Sequence, residues 1–471
     1  MYSNHEESYR IEKDFLGEIS MPKDAYYGIH TQRAAENFSI SNKSTNLHLI
    51  HAIVVVKKAA AMTHLKLGNL SPTIANAIIA TCNEILQGAL SDQFILDPLQ
   101  GGAGTSTHMN VNEVITNRAL ELLGHDKGNY QIIHPLHHVN LSQSTNDVYP
   151  TALRIAAIRL LRPLSEACAE LQNSLQLKEN RYEHTIKLAR TQLMDALPMM
   201  VGQSFGAYAQ AIARDRWRLY KVEERLRQIN IGGTAIGTGM NASLKYIYTI
   251  TDILQDITEL GLARSEFPMD ITQNMDVFVE VSGLLKSAAT NLFKVASDLR
   301  LLNSGPKGGI GEITLPSVQV GSSIMSGKVN PVMAEMVCQM AMKVMSNDYA
   351  VTLASMNGQL ELNAFTPLIT DALLESLEIM TKAIVLFKEK CIDNIVVNEE
   401  VCKKHLSESC AIATALVHHI GHDYASELVK KAQEESKDIV TVLKEEKILS
   451  EEDIEKILDP YEITKPGIPG I

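Results

Sequence analysis

The chain has 471 residues, 45 % of them hydrophobic and 21 % charged, so it can bury a large core and is too apolar to be disordered. Length alone suggests two to four domains. The formal net charge of −12 argues against nucleic acid as the main partner, because phosphate binding needs a surplus of lysine and arginine or a basic stripe, and neither is present. An anionic substrate would need a locally positive pocket.

The sequence shows no signal for export or membrane insertion. Residues 1–10 contain no apolar segment of the kind found in secretory signals, and no uncharged apolar run approaches the ~18 residues needed to span a membrane. The six cysteines form no CxxC motif and lie mostly in helical patterns, which favours reduced thiols over disulfides or a zinc site. These features predict a cytoplasmic protein.

Helical periodicity dominates the chain beyond a turn-rich beginning. Up to about residue 145, short helical patterns alternate with glycine-rich turns, and from Pro150 onward apolar residues recur at i, i+3 and i+4. Long helices are predicted at 151–179, where Pro163 is a candidate kink, and at 203–230, 275–303, 331–355 and 367–391. We therefore expect an all-α fold with an elongated central bundle (146–396) flanked by smaller helical domains (1–145 and 397–471).

The polar, glycine-rich segments fall between the long helices in this prediction. They are 101–110, 140–150, 190–195, 232–241 and 303–331. A helix of about 40 Å would place the segments at its two ends too far apart to line one pocket within a single chain. Several subunits packed side by side could bring them together, so the pattern predicts an oligomer with shared sites.

The segment with the strongest chemical signal is 321–331, Gly-Ser-Ser-Ile-Met-Ser-Gly-Lys-Val-Asn-Pro. Glycines allow such a loop to move and to bring backbone N–H groups close to a ligand. Pro331 is predicted to start a helix, and the N-terminal end of a helix favours anions. The residues indicate a loop that binds a carboxylate and abstracts a proton, although a structural glycine loop explains them equally well.

This segment resembles the mobile loop of the aspartase/fumarase superfamily, GSSxMPxKxNP, with Ser326 in place of the usual proline. The resemblance implies that Ser322 is the catalytic base, that Lys328 and Asn330 bind the α-carboxylate of the substrate, and that Ser323 also contacts substrate. Removing the proton β to the amine creates an aci-carboxylate, which hydrogen-bond donors must stabilise. Serine becomes a sufficient base only if loop N–H groups, or Lys328, stabilise its alkoxide.

Further matches to the superfamily cover nearly the whole chain. The matching segments are 100–113, 138–150, 190–195 and 230–241, the last of which has the family pattern GxTAIGTGxN. The resemblance implies that Thr105 binds substrate and that Ser144, Thr145 and Asn146 hold the β-carboxylate and the amine. It also implies that Thr191 and Gln192 face the substrate. Fumarases carry histidine at the position of Gln192, whereas aspartases carry histidine or glutamine. The resemblance therefore implies reversible anti-elimination of ammonia from L-aspartate to give fumarate, in a homotetramer whose active sites are shared between subunits.

Four departures from the family pattern leave other substrates open. They are His108 for asparagine, Ser204 for glutamate, Ser326 for proline, and Phe365 within an atypical segment. The alternatives are another carbon–nitrogen lyase, such as an ergothionase that releases trimethylamine, then a fumarase, then a helical structural or assembly protein without activity. Retention of Ser322, Lys328 and Asn330 together with Thr145 disfavours the last.

Other candidate sites carry weaker signals. The segment 232–239 lacks the Lys-Ser/Thr pair of a phosphate loop. Two histidine groups could suggest metal ligands, but surface or interface positions explain them better; they are His134, His137 and His138, and His418, His419 and His422. The resemblance implies no required cofactor. Some family members are activated by a divalent cation at a separate site, and the sequence does not locate ligands for one.

Overall fold

The computed structural model describes residues 9–471 of the chain. Most of the segment 1–10, in which no secretory signal was expected, lies outside the described residues. Within the described residues, no helix is both long enough and apolar enough to cross a membrane.

Helices form most of the structure, which confirms the predicted all-α class. The helices are α1 (Ile29–Asn37), α2 (Leu47–Lys66), α3 (Pro72–Leu86), α4 (Thr105–Leu122), α5 (Thr145–Arg181), α6 (Val201–Leu226), α7 (Leu244–Thr258), α8 (Pro268–Gln273), α9 (Asp276–Leu302), α10 (Val332–Met356), α11 (Thr366–Lys390), α12 (Glu399–Glu408), α13 (Val417–Ile420), α14 (His422–Glu435), α15 (Ile439–Glu446) and α16 (Glu451–Ile457). A π-helical turn covers Pro135–Val139.

The strands are short and pair two by two. They are β1 (Tyr9–Asp14), β2 (Gly17–Pro22), β3 (Ile186–Thr191), β4 (Met194–Met200), β5 (Gln228–Ile229), β6 (Ala263–Arg264), β7 (Ile313–Thr314) and β8 (Val396–Val397). The pairs β1–β2, β3–β4 and β7–β8 are antiparallel, and β5–β6 is parallel. Of these, the hairpin β3–β4 contributes to the candidate site.

Four of the five long helices, α6, α9, α10 and α11, lie close to their predicted bounds. Helix α5 is the exception, because it begins at Thr145 rather than at residue 151, so the prediction that all of 140–150 lies between helices is wrong. Pro150 has no N–H to donate to the carbonyl of Asn146 four residues earlier. The side-chain amide of Asn230 donates to that carbonyl instead, at 3.0 Å, so the helix can continue through the proline. The helix also continues through Pro163.

The chain divides into two compact units. Unit 1 contains Met1–Ser165, Trp217–Ser287 and Met342–Thr381, and unit 2 contains Glu166–Arg216, Ala288–Ala341 and Lys382–Ile471. Each of the five long helices contributes residues to both units. The division into domains 1–145, 146–396 and 397–471 stays a prediction.

Each unit has an apolar interior. In unit 1, helix α2 is buried over most of its surface and packs against α3, α4 and α7. A helix that is apolar nearly all round is stable only inside a core. The same helix also carries a fully buried lysine, Lys57. In unit 2, a small core in the C-terminal part is built around Leu416, Leu428 and Leu443.

Candidate active site

The N-terminal end of α4 presents Thr105 on a tight glycine turn. Gly102, Ala103 and Gly104 all adopt left-handed backbone conformations, with φ of 90°, 56° and 88°. A Cβ atom at Gly104 would lie 2.3 Å from the ring of Tyr149, so only glycine fits there. The Thr105 side chain is exposed, and its hydroxyl donates to the carbonyl of Gly102 at 2.8 Å.

A buried carboxylate organises the first turn of α5. Asp147 is fully buried and accepts hydrogen bonds from the backbone N–H groups of Ser144 (2.9 Å), Gly232 (3.0 Å) and Thr234 (3.0 Å). Burial raises the pKa of Asp147 to about 7, although these three donors and the nearby Lys57 oppose the shift. The turn that carries Ser144, Thr145 and Asn146 is thereby fastened to the segment 232–241.

Asn146 strengthens the same connection through its side chain. Its Nδ2 donates to the carbonyl of Ala235 at 2.7 Å. The Ser144 hydroxyl accepts from the N–H of Asn146 at 3.2 Å, so it acts as a local cap of the helix. The glycine-rich segment 232–241 therefore supports the turn of α5. A Cβ atom at Gly237 would lie 2.4 Å from the backbone of Met269, so close packing accounts for this glycine without a phosphate site.

Behind this turn lies a buried group of polar side chains. Lys57 donates to the side-chain oxygens of Asn140 (2.8 Å) and Gln143 (2.9 Å). His108 Nδ1 lies 2.8 Å from Thr145 Oγ1. Burial lowers the pKa of both Lys57 and His108 well below their usual values, and the Lys57 charge lowers that of His108 further.

In unit 2, the hairpin β3–β4 displays the predicted residues Thr191 and Gln192 at its tip. The turn residues Gln192 and Leu193 both have positive φ, of 54° and 64°, a conformation that matches the twist of a two-residue hairpin. Thr191 and Gln192 are exposed. The segment 190–195 is therefore a strand–turn–strand rather than an irregular connection between helices.

An ion cluster lies beside the turn of this hairpin, at Arg190 of β3, which pairs with Asp195 of β4. Arg190 Nη1 lies 2.5 Å from Glu312 Oε1, and His405 Nδ1 lies 2.9 Å from the same oxygen. The side chain of Glu312 is only 1 % exposed. The cluster ties the hairpin to helix α12 and to the segment that leads into the glycine-rich loop.

The loop 321–331 is closed at its base by hydrogen bonds. The Gly321 N–H donates to the carbonyl of Lys328 at 2.8 Å, and Asn330 Nδ2 donates to the carbonyl of Gly321 at 2.7 Å. A Cβ atom at Gly321 would lie 2.8 Å from both the Lys328 carbonyl and the Asn330 nitrogen, so this approach requires glycine. Lys328 and Ser323 are exposed on the loop.

The Ser322 hydroxyl has a distinctive environment within the loop. Its oxygen accepts hydrogen bonds from the backbone N–H groups of Met325 (2.9 Å) and Ile324 (3.2 Å). Beside the loop is a cavity of about 720 Å³, whose lining includes Lys328, Asn330 and the Arg300–Glu335 ion pair. The loop thus combines an oxygen that accepts two N–H groups, an exposed cation and an open cavity.

The predicted site residues lie in both units. Unit 1 contains Thr105, Ser144, Thr145 and Asn146, and unit 2 contains Thr191, Gln192, Ser322, Ser323, Lys328 and Asn330. The first group gathers where α4 and α5 begin, and the second is divided between the hairpin tip and the loop. Their roles in binding and catalysis stay predictions.

Two of the histidines considered as metal ligands have ring nitrogens engaged by backbone groups. His134 Nδ1 accepts from the N–H of Leu136 at 3.0 Å, and His138 Nδ1 accepts from the N–H of His134 at 2.8 Å. Those two nitrogens help to shape the π-helical turn. Over residues 9–471, no cluster of three or more His, Cys, Asp or Glu side chains is arranged to hold a metal ion.

Comparison with known proteins identifies the family. A family model described as Lyase matches residues 17–346, and one described as Fumarase C C-terminus matches residues 412–465. The chain belongs to the aspartase/fumarase superfamily of lyases. This lyase is 46 % identical over 461 residues to a protein named aspartate ammonia-lyase from a Bacillus species, with 98 % of each chain covered.

Two solved structures resemble the fold of this lyase over almost its full length. The fumarate lyase:delta crystallin of Brucella melitensis bound to cobalt has a TM-score of 0.94 at 44 % identity, covering 97 % of this chain and 100 % of that one. The class II fumarase of Schistosoma mansoni has a TM-score of 0.92 at 32 % identity, covering 97 % and 99 %. The predicted superfamily and its lyase chemistry are confirmed.

Sequence reasoning on this lyase missed the residues that hold the site in shape. Asp147, Glu312 and Lys57 are all buried and charged. Lys57 gave one signal, since it interrupts the apolar run 52–56 of α2, where a solvated lysine would be out of place. Asp147 lies within the matched segment 138–150 and Glu312 within the glycine-rich segment 303–331, but no local pattern marks either of them as buried.

Proposed function

We propose that this lyase is an aspartate ammonia-lyase, which reversibly eliminates ammonia from L-aspartate to give fumarate. Its greater similarity to a protein named aspartate ammonia-lyase than to a class II fumarase supports this choice. So does Gln192, at a position where fumarases carry histidine. The observation that carries the mechanism is the pair of backbone N–H groups bonded to the Ser322 oxygen.

Ser322 is the proposed general base. An alkoxide at Ser322 would keep the two N–H donors of Ile324 and Met325, and fixed donors of this kind stabilise negative charge without reorganisation. The serine oxygen takes the proton from C3 of aspartate, and the C–H electron pair moves into the neighbouring carboxylate as an aci-carboxylate. That pair then forms the C2–C3 double bond while the C2–N bond breaks and ammonia leaves.

The remaining residues bind the two carboxylates and the amine. In the proposal, Lys328 supplies a charge-assisted bond to the α-carboxylate, which a chain of net charge −12 needs locally. Asn330 has a second amide proton available beside the one given to Gly321, so it can hold the loop and the substrate together. Ser144, Thr145 and Asn146 receive the β-carboxylate and the amine, and the residues that complete the pocket are Thr105, Thr191, Gln192 and Ser323.

The test of the proposal begins with Ser322→Ala. We expect turnover of L-aspartate, followed by the absorbance of fumarate, to fall roughly 10²–10⁴-fold if Ser322 is the base. Ser326→Ala, in the same loop but without a proposed role, is the matched control and should keep near-normal turnover. A wild-type protein that leaves aspartate unchanged but releases trimethylamine from ergothioneine, or makes malate from fumarate, would move the assignment to another substrate.

We further propose a homotetramer whose active sites are completed by several subunits. Large aromatic side chains remain exposed on the long helices of unit 1, including Trp217 (63 %), Tyr220 (68 %) and Tyr349 (66 %), and burying them between subunits would remove apolar surface from water. Sedimentation should give four chains per particle. Mixing inactive Ser322→Ala and Thr145→Val proteins should restore part of the activity through hybrid particles, and a complete lack of rescue would contradict shared sites.

The proposed elimination needs no organic cofactor, and its compartment is proposed to be the cytoplasm. All six cysteines are free thiols, and five of them are buried, as expected for a chain kept in a reducing environment. Activation by a divalent cation is open to direct measurement, by comparing turnover after chelation with turnover after addition of magnesium or cobalt.

A further inference from the structure

Within the described residues, the ring of His108 makes one hydrogen bond and has one nitrogen without a partner. The residue lies on α4 one turn after Thr105, and it is 1 % exposed. Its Nδ1 is 2.8 Å from Thr145 Oγ1. Its Nε2 is buried and has no hydrogen-bond partner among residues 9–471.

The unpartnered nitrogen determines where the ring proton lies. A buried imidazole beside the Lys57 cation stays neutral, since its pKa is well below the usual value, and a neutral ring carries one proton. A proton on Nε2 would be a buried N–H donor without an acceptor, which is rarer in proteins than an unused acceptor. A proton on Nδ1 bonds to Thr145 Oγ1 and leaves only a lone pair at Nε2.

The proton position in turn fixes the role of the Thr145 hydroxyl. When Nδ1–H donates to Oγ1, the threonine cannot give its own proton back to His108. No other protein group in the described residues is hydrogen-bonded to this hydroxyl. Its proton is then available to a ligand, and a hydroxyl proton held in this way binds an anion better than it binds an ammonium group.

We infer that His108 is a positioning residue: its Nδ1–H group turns the Thr145 hydroxyl into a dedicated donor to the substrate β-carboxylate. The inference rests on the proposed function, which places Thr145 among the residues that receive the β-carboxylate and the amine, and it assigns Thr145 to the carboxylate. Charge on this carboxylate grows as the C3 proton leaves, so the contribution of the donor increases toward the transition state. The effect of losing it should appear mainly in kcat and less in KM.

A double-mutant cycle separates positioning from a general structural role. Thr145→Val should lower kcat on the order of 10²-fold. His108→Leu, which removes the donor, should lower kcat roughly 10-fold, while His108→Asn, which keeps an N–H donor in nearly the same place, should recover most of this loss. Because His108 acts through Thr145, the double variant His108→Leu/Thr145→Val should be no slower than Thr145→Val alone. Losses that multiply would overturn the inference.

The ring proton can also be observed without any substrate. In protein labelled with ¹⁵N at histidine, the ring signals of His108 are identified by their loss in His108→Asn, and we expect the pattern of a neutral ring protonated at Nδ1. A proton at Nε2 would overturn the inference even if aspartate is the substrate. An Nδ1 proton in a protein that does not turn over aspartate would instead refute the proposed function and leave the hydrogen-bond assignment standing.

Discussion

Replacing Glu312 with glutamine tests whether a buried ion cluster holds the hairpin β3–β4 in position. The Glu312 carboxylate receives both Arg190 and His405 on one oxygen and is almost fully buried. Burial lowers the pKa of the nearby Lys187 in β3, and the charge of Glu312 opposes part of this shift. A neutral glutamine keeps the shape of the side chain but leaves Arg190 without its counter-charge.

The burial of Glu312 determines how much stability we expect the substitution to cost. Removing one partner of a buried ion pair costs about 3–5 kcal/mol, because the other charge is left uncompensated. The exposed pair Lys403–Glu400, in which the side chains are 59 % and 88 % exposed, provides a matched control. Glu400→Gln should change the free energy of unfolding by less than about 1 kcal/mol.

The assay is a urea titration followed by circular dichroism, together with steady-state kinetics on aspartate. We expect Glu312→Gln to lower the free energy of unfolding by about 3 kcal/mol or more, a large part of the 5–15 kcal/mol typical of folded proteins. Because Arg190 directly precedes Thr191 and Gln192, kcat/KM should fall as well. If Glu312→Gln unfolds at the same urea concentration as Glu400→Gln, the cluster does not anchor the hairpin.

Two further predictions concern unit 1. Asp147→Asn should lower the free energy of unfolding, measured by urea titration, by about 2–4 kcal/mol. Oδ2 of Asp147 accepts from the N–H groups of both Gly232 and Thr234, and an amide cannot satisfy all of the donors now bonded to the carboxylate. An unchanged urea midpoint would contradict this prediction. The second prediction concerns pH. Burial holds the pKa of His108 below the value of about 6.5 that histidine has in the unfolded chain. The unfolded state therefore binds more protons, and the native state loses stability as pH falls below about 6.5. His108→Asn should lose less stability than the wild type between pH 7 and 5, and parallel curves for the two proteins would refute it.

The long helices could be predicted because their signal is local. Apolar spacing at i, i+3 and i+4 specifies a buried helix face within any window of the sequence, and α6, α9, α10 and α11 follow it closely. The beginning of α5 could not be predicted in this way, because Pro150 normally argues against helix on both sides of it. Helix α5 continues through Pro150 because Asn230, 84 positions from Asn146 in the chain, donates to the Asn146 carbonyl that the proline leaves free.

The candidate site shows the same limit. Ser322, Lys328 and Asn330 could be proposed because they lie within one short motif. The groups that shape the site could not be, because their partners are distant: His405 is 93 positions from Glu312 in the chain, and no sequence window contains both. A single sequence shows that a charged residue is present, but not whether it will be buried.

The buried and exposed polar groups of the site therefore have different physical tasks. The charged groups that are buried, among them Lys57, Asp147 and Glu312, bond to backbone or to other side chains and hold the loops in one geometry. Two of the groups proposed to meet the substrate, Thr105 and Lys328, are exposed and bonded only locally or not at all, whereas Thr145 is buried and bonded to His108. This arrangement suits the proposed reaction, in which negative charge builds on one carboxylate, because donors that are held in place by buried groups need not reorganise as the charge appears. His108 belongs to both groups, since it is buried but the one hydrogen bond of its ring goes to Thr145, a residue proposed to touch the substrate.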